Sequence, residues 1–214
     1  MNKVLLIISI ILILVSYTRI ILIYLKTKNI KINDLSGFDL AKELTSNYDE
    51  INIVESNSIN ISKYNLKRRI IRFTNKDYNL NDIFTLAKSS ILSSYSLLHL
   101  NKDKNINLLS NILPNIDYLN KSSCFSLIIS LLTSSKGDAK IAIILILIIL
   151  IYQYLINEIN NNSIELTNKD LKKMLSKENY SLVTKIQNRY LSLNKISFIS
   201  TLILLLREIL IIIY

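Results

Sequence analysis

Histidine and cysteine each occur once in 214 residues, as His99 and Cys124. That scarcity nearly excludes most hydrolytic designs before any geometry is considered. A catalytic zinc normally takes three protein ligands drawn from His, Cys and carboxylates. A Ser-His-Asp or Cys-His arrangement needs a histidine beside its nucleophile. One cysteine also excludes an intrachain disulfide and leaves the redox compartment open. Glycine occurs twice and proline once, against a surplus of Ile, Asn and Lys that points to an AT-rich genome. Asn and Lys are then weak reporters of turns and charge, and the net charge of +10 singles out no partner.

What the chain does have is long apolar runs. Residues 4–25 (VLLIISIILILVSYTRIILIYL) reach the ~20 residues a helix needs to cross a bilayer. A signal peptide is the competing reading, and its apolar core of ~7–15 residues would fit residues 4–15. No A-x-A-like cleavage site follows, however, and the apolar run resumes at 20–25. The segment reads as an uncleaved anchor, with Arg19 snorkelling to the near interface. Residues 141–155 and 196–214 are further spans. The latter carries adjacent Arg207 and Glu208, which are either functional or turned as a pair towards a neighbouring helix.

Residues 122–135 (SSCFSLIISLLTSS) are short for a span, and charge decides their status. Lys26, Lys28 and Lys31 follow the first run, against Lys3 before it. Residues 157–195 carry Lys169, Lys172, Lys173, Lys177, Lys185, Arg189 and Lys195 against four acids. The positive-inside rule puts both regions in the cytoplasm, and they share a side only if residues 122–135 cross. The expectation is a multi-pass membrane protein of about four spans with both termini outside.

Between the first two runs the polarity is mixed. Ser36-Gly37-Phe38-Asp39 reads as a capped helix start, and Phe38, Ala41 and Leu44 keep helical spacing. Residues 51–55 and 69–74 read as strands. From Asp82, the residues Ile83, Phe84, Ala87, Ile91, Leu92, Tyr95 and Leu98 give the stripe of an amphipathic helix. The fold class is therefore an α+β membrane protein. Its expected division is an anchor (1–25), an α+β region (26–121), two transmembrane helices (122–156), a cytoplasmic helical segment (157–195) and a final transmembrane helix (196–214).

An ordered series of matches resembles the bacterial membrane-bound neutral zinc metallopeptidase family. Ser36-Gly37 before a helix looks like its T/S-G-x-x-x-A opening, and residues 64–74 (YNLKRRIIRFT) are similar to its Y-D-P-R-x-K-V-V-R-L-S strand. Residues 83–100 then stand where that family has the helix V-A-A-x-A-V-A-A-H-E-x-G-H-A-I-Q-H-A. Residues 112–115 (ILPN) resemble its L-V-P segment, residues 155–160 (LINEIN) its L-P-V-E-F-N, and the last helix with Arg207 its L-L-R-L. The resemblance implies a small zincin-like domain between the first two spans and a place in the cytoplasmic membrane of a bacterium.

In H-E-x-x-H the histidines stand four apart on one helix face and hold zinc, and the glutamate polarises the attacking water. Here Ile91, Leu92 and Tyr95 replace the first histidine, the glutamate and the second histidine. His99 falls on the family's extra histidine, and Glu158 on its third zinc ligand. The family's small helix residues have become Ser, Leu and Ile, and Ser62-Lys63 stands in place of its D-H pair. The implied protein is a catalytically inactive homologue with a binding or scaffolding role, no metal expected, and Glu158 a vestigial candidate. Ile91, Leu92 and Tyr95 should fill the zinc pocket, with Glu158 approaching from the next helical layer. Two alternatives stand beside it. One is an active enzyme with a non-standard site; the other is an unrelated membrane anchor with a basic cytoplasmic domain.

Each remaining candidate has a plain structural explanation. His99 reads as a hydrogen-bonded or solvated helix-face residue, and Cys124 as a small hydrophobe. Ser89, Ser90, Ser93, Ser94 and Ser96 lack an evident base and read as a polar or close-packing face. Lys67, Arg68, Arg69 and Arg72 form a basic cluster suited to anionic headgroups or to plain solvation. The expected partners are the lipid bilayer and another membrane protein, with no nucleic acid.

Overall fold

The computed structural model of the chain describes residues 2–32, 35–117, 119 and 121–214. In chain order the elements begin with α1 (Asn2–Thr27), α2 (Gly37–Thr45), β1 (Asn52–Glu55), β2 (Lys63–Asn65), β3 (Ile70–Phe73) and α3 (Asn75–Asn79). They continue with α4 (Ile83–Leu100), α5 (Lys104–Ile112), β4 (Asn115–Asp117), α6 (Ser122–Leu132), α7 (Lys136–Met174) and α8 (Lys177–Ile213). Two compact units result. One comprises Met1–Ile20, Leu119–Asn157 and Leu191–Tyr214, and the other Ile21–Tyr118 and Glu158–Tyr190.

The second unit contains a four-stranded sheet in the order β1-β3-β2-β4. β1 pairs parallel with β3, whereas β2 lies antiparallel between β3 and β4. Alternation along β3 buries Ile71 and Phe73, and β2 buries Tyr64, as expected for a sheet packed on one face. Helices α2, α4 and α5 contribute Leu40, Ala41, Ile83, Leu86, Ile106 and Leu109 to the same core. α2 starts where the sequence indicates. Ser36 Oγ accepts from Asp39 N at 3.2 Å and Asp39 Oδ2 accepts from Ser36 N at 3.0 Å, a capping box.

The first unit is apolar. Helices α1, α7 and α8 are each long and apolar enough to cross a membrane, each containing an 18-residue stretch with a mean hydropathy of 2.6, 2.5 and 2.4 respectively. Their outward positions expose Ile7, Ile11, Leu14, Ile144, Ile148, Ile151, Leu202 and Leu206, more contiguous apolar surface than water tolerates. The chain is a membrane-associated α+β protein.

Within this unit neighbouring helices alternate in direction. Ser9 Oγ donates to Ser200 O at 3.2 Å, and Leu6 packs at the Leu204 level, so α1 and α8 are antiparallel. Gln153 meets Thr201 while Ile146 and Leu150 meet Leu204, so α7 and α8 are antiparallel too. Gln153 also meets Ser122, and Leu127 and Ile129 pack against the Ile146–Leu150–Leu204 cluster, which sets α6 antiparallel to α7.

The helices run on without a break from the apolar runs into the polar residues 157–195, although the two compact units change over at Asn157 and Tyr190. α7 runs for 39 residues and α8 for 37, broken only around Leu175-Ser176. The reason is the scarcity of breakers: the glycines are Gly37 and Gly137 and the proline is Pro114, so nothing inside either helix interrupts its ladder beyond Gly137. α6 is 11 residues, about 16 Å at 1.5 Å per residue.

Candidate functional site

The place of the missing zinc motif is the middle of α4. Asp82 caps this helix, its Oδ1 accepting from the N–H groups of Phe84 and Thr85, each at 3.0 Å. From Ile83 to His99 every residue is buried except Lys88. Ile91 is 3 % exposed, Leu92 0 % and Tyr95 1 %. Tyr95 donates its phenolic proton to Asn160 Oδ1 of α7 at 2.5 Å. Tyr95, which the resemblance aligns with the second motif histidine, is thus buried and bonded to an amide.

The α7 residue that bonds Tyr95 is Asn160. Glu158 precedes it by two positions, about 200° around a helix of 3.6 residues per turn. Asn160, Ser163, Thr167 and Leu171 form the buried face of α7, whereas Glu158 is half-buried. Leu92 and Ile91 carry no donor atom, so this set does not fit a zinc ion. Among the described residues, no group of three or more His, Cys, Asp and Glu is placed to hold a metal.

The serines of α4 behave as packing residues. Ser90, Ser94 and Ser96 donate to the carbonyls of Ala87, Ile91 and Ser93 at 2.7–2.8 Å. Ser90 Oγ also accepts from Gln187 Nε2 of α8 at 2.9 Å. Ser89 sits under Gly37, where a Cβ on the glycine would come within 2.8 Å of Ser89 Oγ. Among the described residues, none of these hydroxyls is hydrogen-bonded to a base that could make it a nucleophile.

His99 lies at the far end of α4, 8 % exposed, with Nδ1 3.0 Å from Tyr64 Oη. Burial holds its pKa below the ordinary 6.5, and the charge of Arg69 adds to the effect. Burial pushes the Tyr64 phenol far above its ordinary range, so it stays a donor. The fold thus holds a neutral histidine. Its contribution to stability is present above pH 6.5 and lost as pH falls through the lowered folded value. Thermal unfolding in detergent should show a fall in midpoint below pH 6.5 that is smaller in H99Q. Equal acid sensitivity in both proteins would refute this role.

The basic cluster lies around the β2–β3 connection. Lys67 and Arg68 are exposed, and Arg69, at φ 53°, forms an ion pair with Glu50. Lys63 stands across from Arg72 in the sheet, adding a cation that the sequence reading left out. Cys124 lies half-buried on α6 with Sγ 3.9 Å from Tyr17 Oη.

The sequence reading also missed Asn160 and Gln187. Their signal is the spacing of Asn160, Ser163, Thr167 and Leu171 at three- and four-residue steps, a buried stripe written largely in polar residues. Neither a protein-family model, nor a curated protein, nor a solved structure matches this chain.

Proposed function

We propose that the chain is a multi-span protein of the bacterial cytoplasmic membrane. On this reading it is a non-hydrolytic relative of the membrane zinc metallopeptidases that acts by binding or scaffolding. The observation that carries the reading is Tyr95, buried at 1 % and bonded to Asn160 where the motif needs its second histidine. A catalytic zinc keeps an open coordination position for water. The packing around Ile91, Leu92 and Tyr95 offers neither ligands nor such an opening.

The topology we infer has four crossings, α6 included, with both termini outside. It is supported by the alternation of helix directions, which brings the start of α1 and the end of α8 to one end of their unit. The charge distribution then orients that end outward. Lipid is the first partner, and the outward apolar helix faces admit a second membrane protein.

The test is to purify the full chain in detergent and measure zinc per chain and chelator-sensitive cleavage of casein. The expected result is zinc well below one equivalent and no such cleavage. One zinc per chain with cleavage abolished by chelator would contradict the reading.

The placement of Glu158 favours a second reading, an unrelated membrane anchor whose basic β2–β3 connection meets anionic headgroups. It expects charge reversal at Lys67 and Arg68 to lower the anionic lipid that co-purifies with the chain. Unchanged lipid content would remove it.

A further inference from the structure

The apolar unit carries a continuous polar file that the reading above does not use. On α8, Asn194, Ser197, Thr201, Leu204 and Glu208 follow at helical spacing on one face, each exposed by 2 % or less. From Asn194 to Glu208 this face extends about 21 Å of a ~30 Å hydrocarbon core. Gln153 Nε2 of α7 donates to Ser122 Oγ at 2.8 Å and to Thr201 Oγ1 at 3.0 Å. Ser126 Oγ of α6 lies 3.0 Å from Thr201 Oγ1. At the other end, Ser130 Oγ donates to Glu208 Oε1 at 2.7 Å, and Arg207 Nη1 donates to the same oxygen at 2.5 Å. Between the two polar layers lies one apolar layer of Leu204, Ile146 and Leu150.

Interhelix hydrogen bonding alone would explain a file whose atoms were paired. These are not. Asn194 Oδ1, Ser197 Oγ, Ser123 Oγ, Gln153 Oε1 and Glu208 Oε2 are buried without a partner among the described residues. Five such oxygens among apolar helices are costly unless water satisfies them. Arg207 also has a second anchor. Its Nη1 donates at 2.7 Å to the carbonyl of Ser130, in the last turn of α6, where helical donors run out and the helix end is negative. Glu208 can therefore gain a proton without stranding the guanidinium. The remaining charges of the packed elements towards that end are Lys3 on α1 and Lys136, Asp138 and Lys140 on α7, and the three lysines are exposed. α6 carries no charged residue.

We propose that this file is a hydrated proton path, with Glu208 its proton-binding carboxylate and the Leu204–Ile146–Leu150 layer its constriction. A hydronium ion reaching Glu208 gives one proton to Oε2, forming an O–H bond and leaving water. The resulting acid returns that proton to a water on the other side, and no electron moves. Intramembrane carboxylates joined to polar residues are the usual parts of such relays, and apolar constrictions gate by dewetting.

The test reconstitutes the full chain in phosphatidylethanolamine–phosphatidylglycerol vesicles containing a pH-sensitive dye, with the potential clamped by potassium and valinomycin. Proton entry should exceed that of protein-free vesicles, fall at least about tenfold in E208Q and Q153L, and rise in L204S. Since E208Q preserves shape and an acceptor for Ser130, infrared spectroscopy supplies a second readout. A protonated-carboxyl band should grow on acidification of the native chain and be missing in E208Q. Native entry equal to that of empty vesicles would overturn the proposal, as would E208Q entry equal to native. Sodium uptake that depends on Glu208 without proton entry would overturn it in favour of an alkali-cation site.

Discussion

Replacing Gly37 with alanine is expected to cost about 2–3 kcal/mol of stability in the α+β unit, from overpacking alone. Gly37 opens α2 directly over α4. A Cβ there would lie 2.2 Å from the backbone oxygen of Asp77, 2.8 Å from Ser89 Oγ and 3.0 Å from Thr85 Cγ2. The first contact is decisive, because a backbone carbonyl cannot turn aside as a side chain can. Its φ is not positive, so strain in the backbone is not the cause. Loss of chain freedom in the unfolded state would favour alanine by ~0.4–1 kcal/mol, less than the steric cost. Gly137 supplies the control. Its nearest neighbour would be Ser135 Oγ at 3.6 Å, so alanine at the start of α7 should be neutral or stabilising. Denaturation midpoints of G37A and G137A that shift alike would refute this packing account.

Replacing Asp77 with alanine should cost more, about 3–5 kcal/mol, because it removes the carboxylate of a largely enclosed ion pair together with its hydrogen bond from Ser62. Asp77 Oδ1 accepts from Lys88 Nζ at 3.0 Å, and the two side chains are 7 % and 14 % exposed. Its Oδ2 accepts from Ser62 Oγ at 2.6 Å, and Ser62 Oγ accepts from Thr74 N at 3.0 Å. This one carboxylate ties the β2 entry, the β3 exit and α4 together. The Lys88 ammonium also lies 5.1 Å from the centre of the Phe84 ring. Removing both charges, as in D77N/K88M, should cost less than D77A alone, since the ammonium goes together with its carboxylate. A double variant at least as unstable as D77A would contradict this.

What could be read in the sequence was what local chemistry writes plainly. The capping box at Ser36 and the helical spacing that begins after Asp82 place α2 and α4 where expected, although α4 is buried on nearly every face and not along one stripe. Strands β1 and β3 follow from β-branched residues in alternation. β2 and β4 escaped notice because each is three residues long with one apolar residue, Tyr64 or Ile116, too short to show a period. α5 was hidden by its asparagines, which here mark composition more than turns, although Asp103 caps it and Ile106 and Leu109 are buried. Gly37 looked like part of a helix start, and its role in admitting α4 needed the third dimension. The same holds for Glu158. A sequence match pointed to it as the neighbour of Tyr95, and the bond from Tyr95 to Asn160, two positions on, could not be read from the chain.

The central claim is that α4 is a closed packing helix where a peptidase would open its site. Thiol accessibility measures this directly. In a C124A background, a cysteine replacing Leu92 should react with a soluble maleimide at least about a hundredfold more slowly than one replacing exposed Lys67, until denaturant is added. Equal labelling rates for L92C and K67C in the folded protein would mean an open cleft along α4 and would contradict the account.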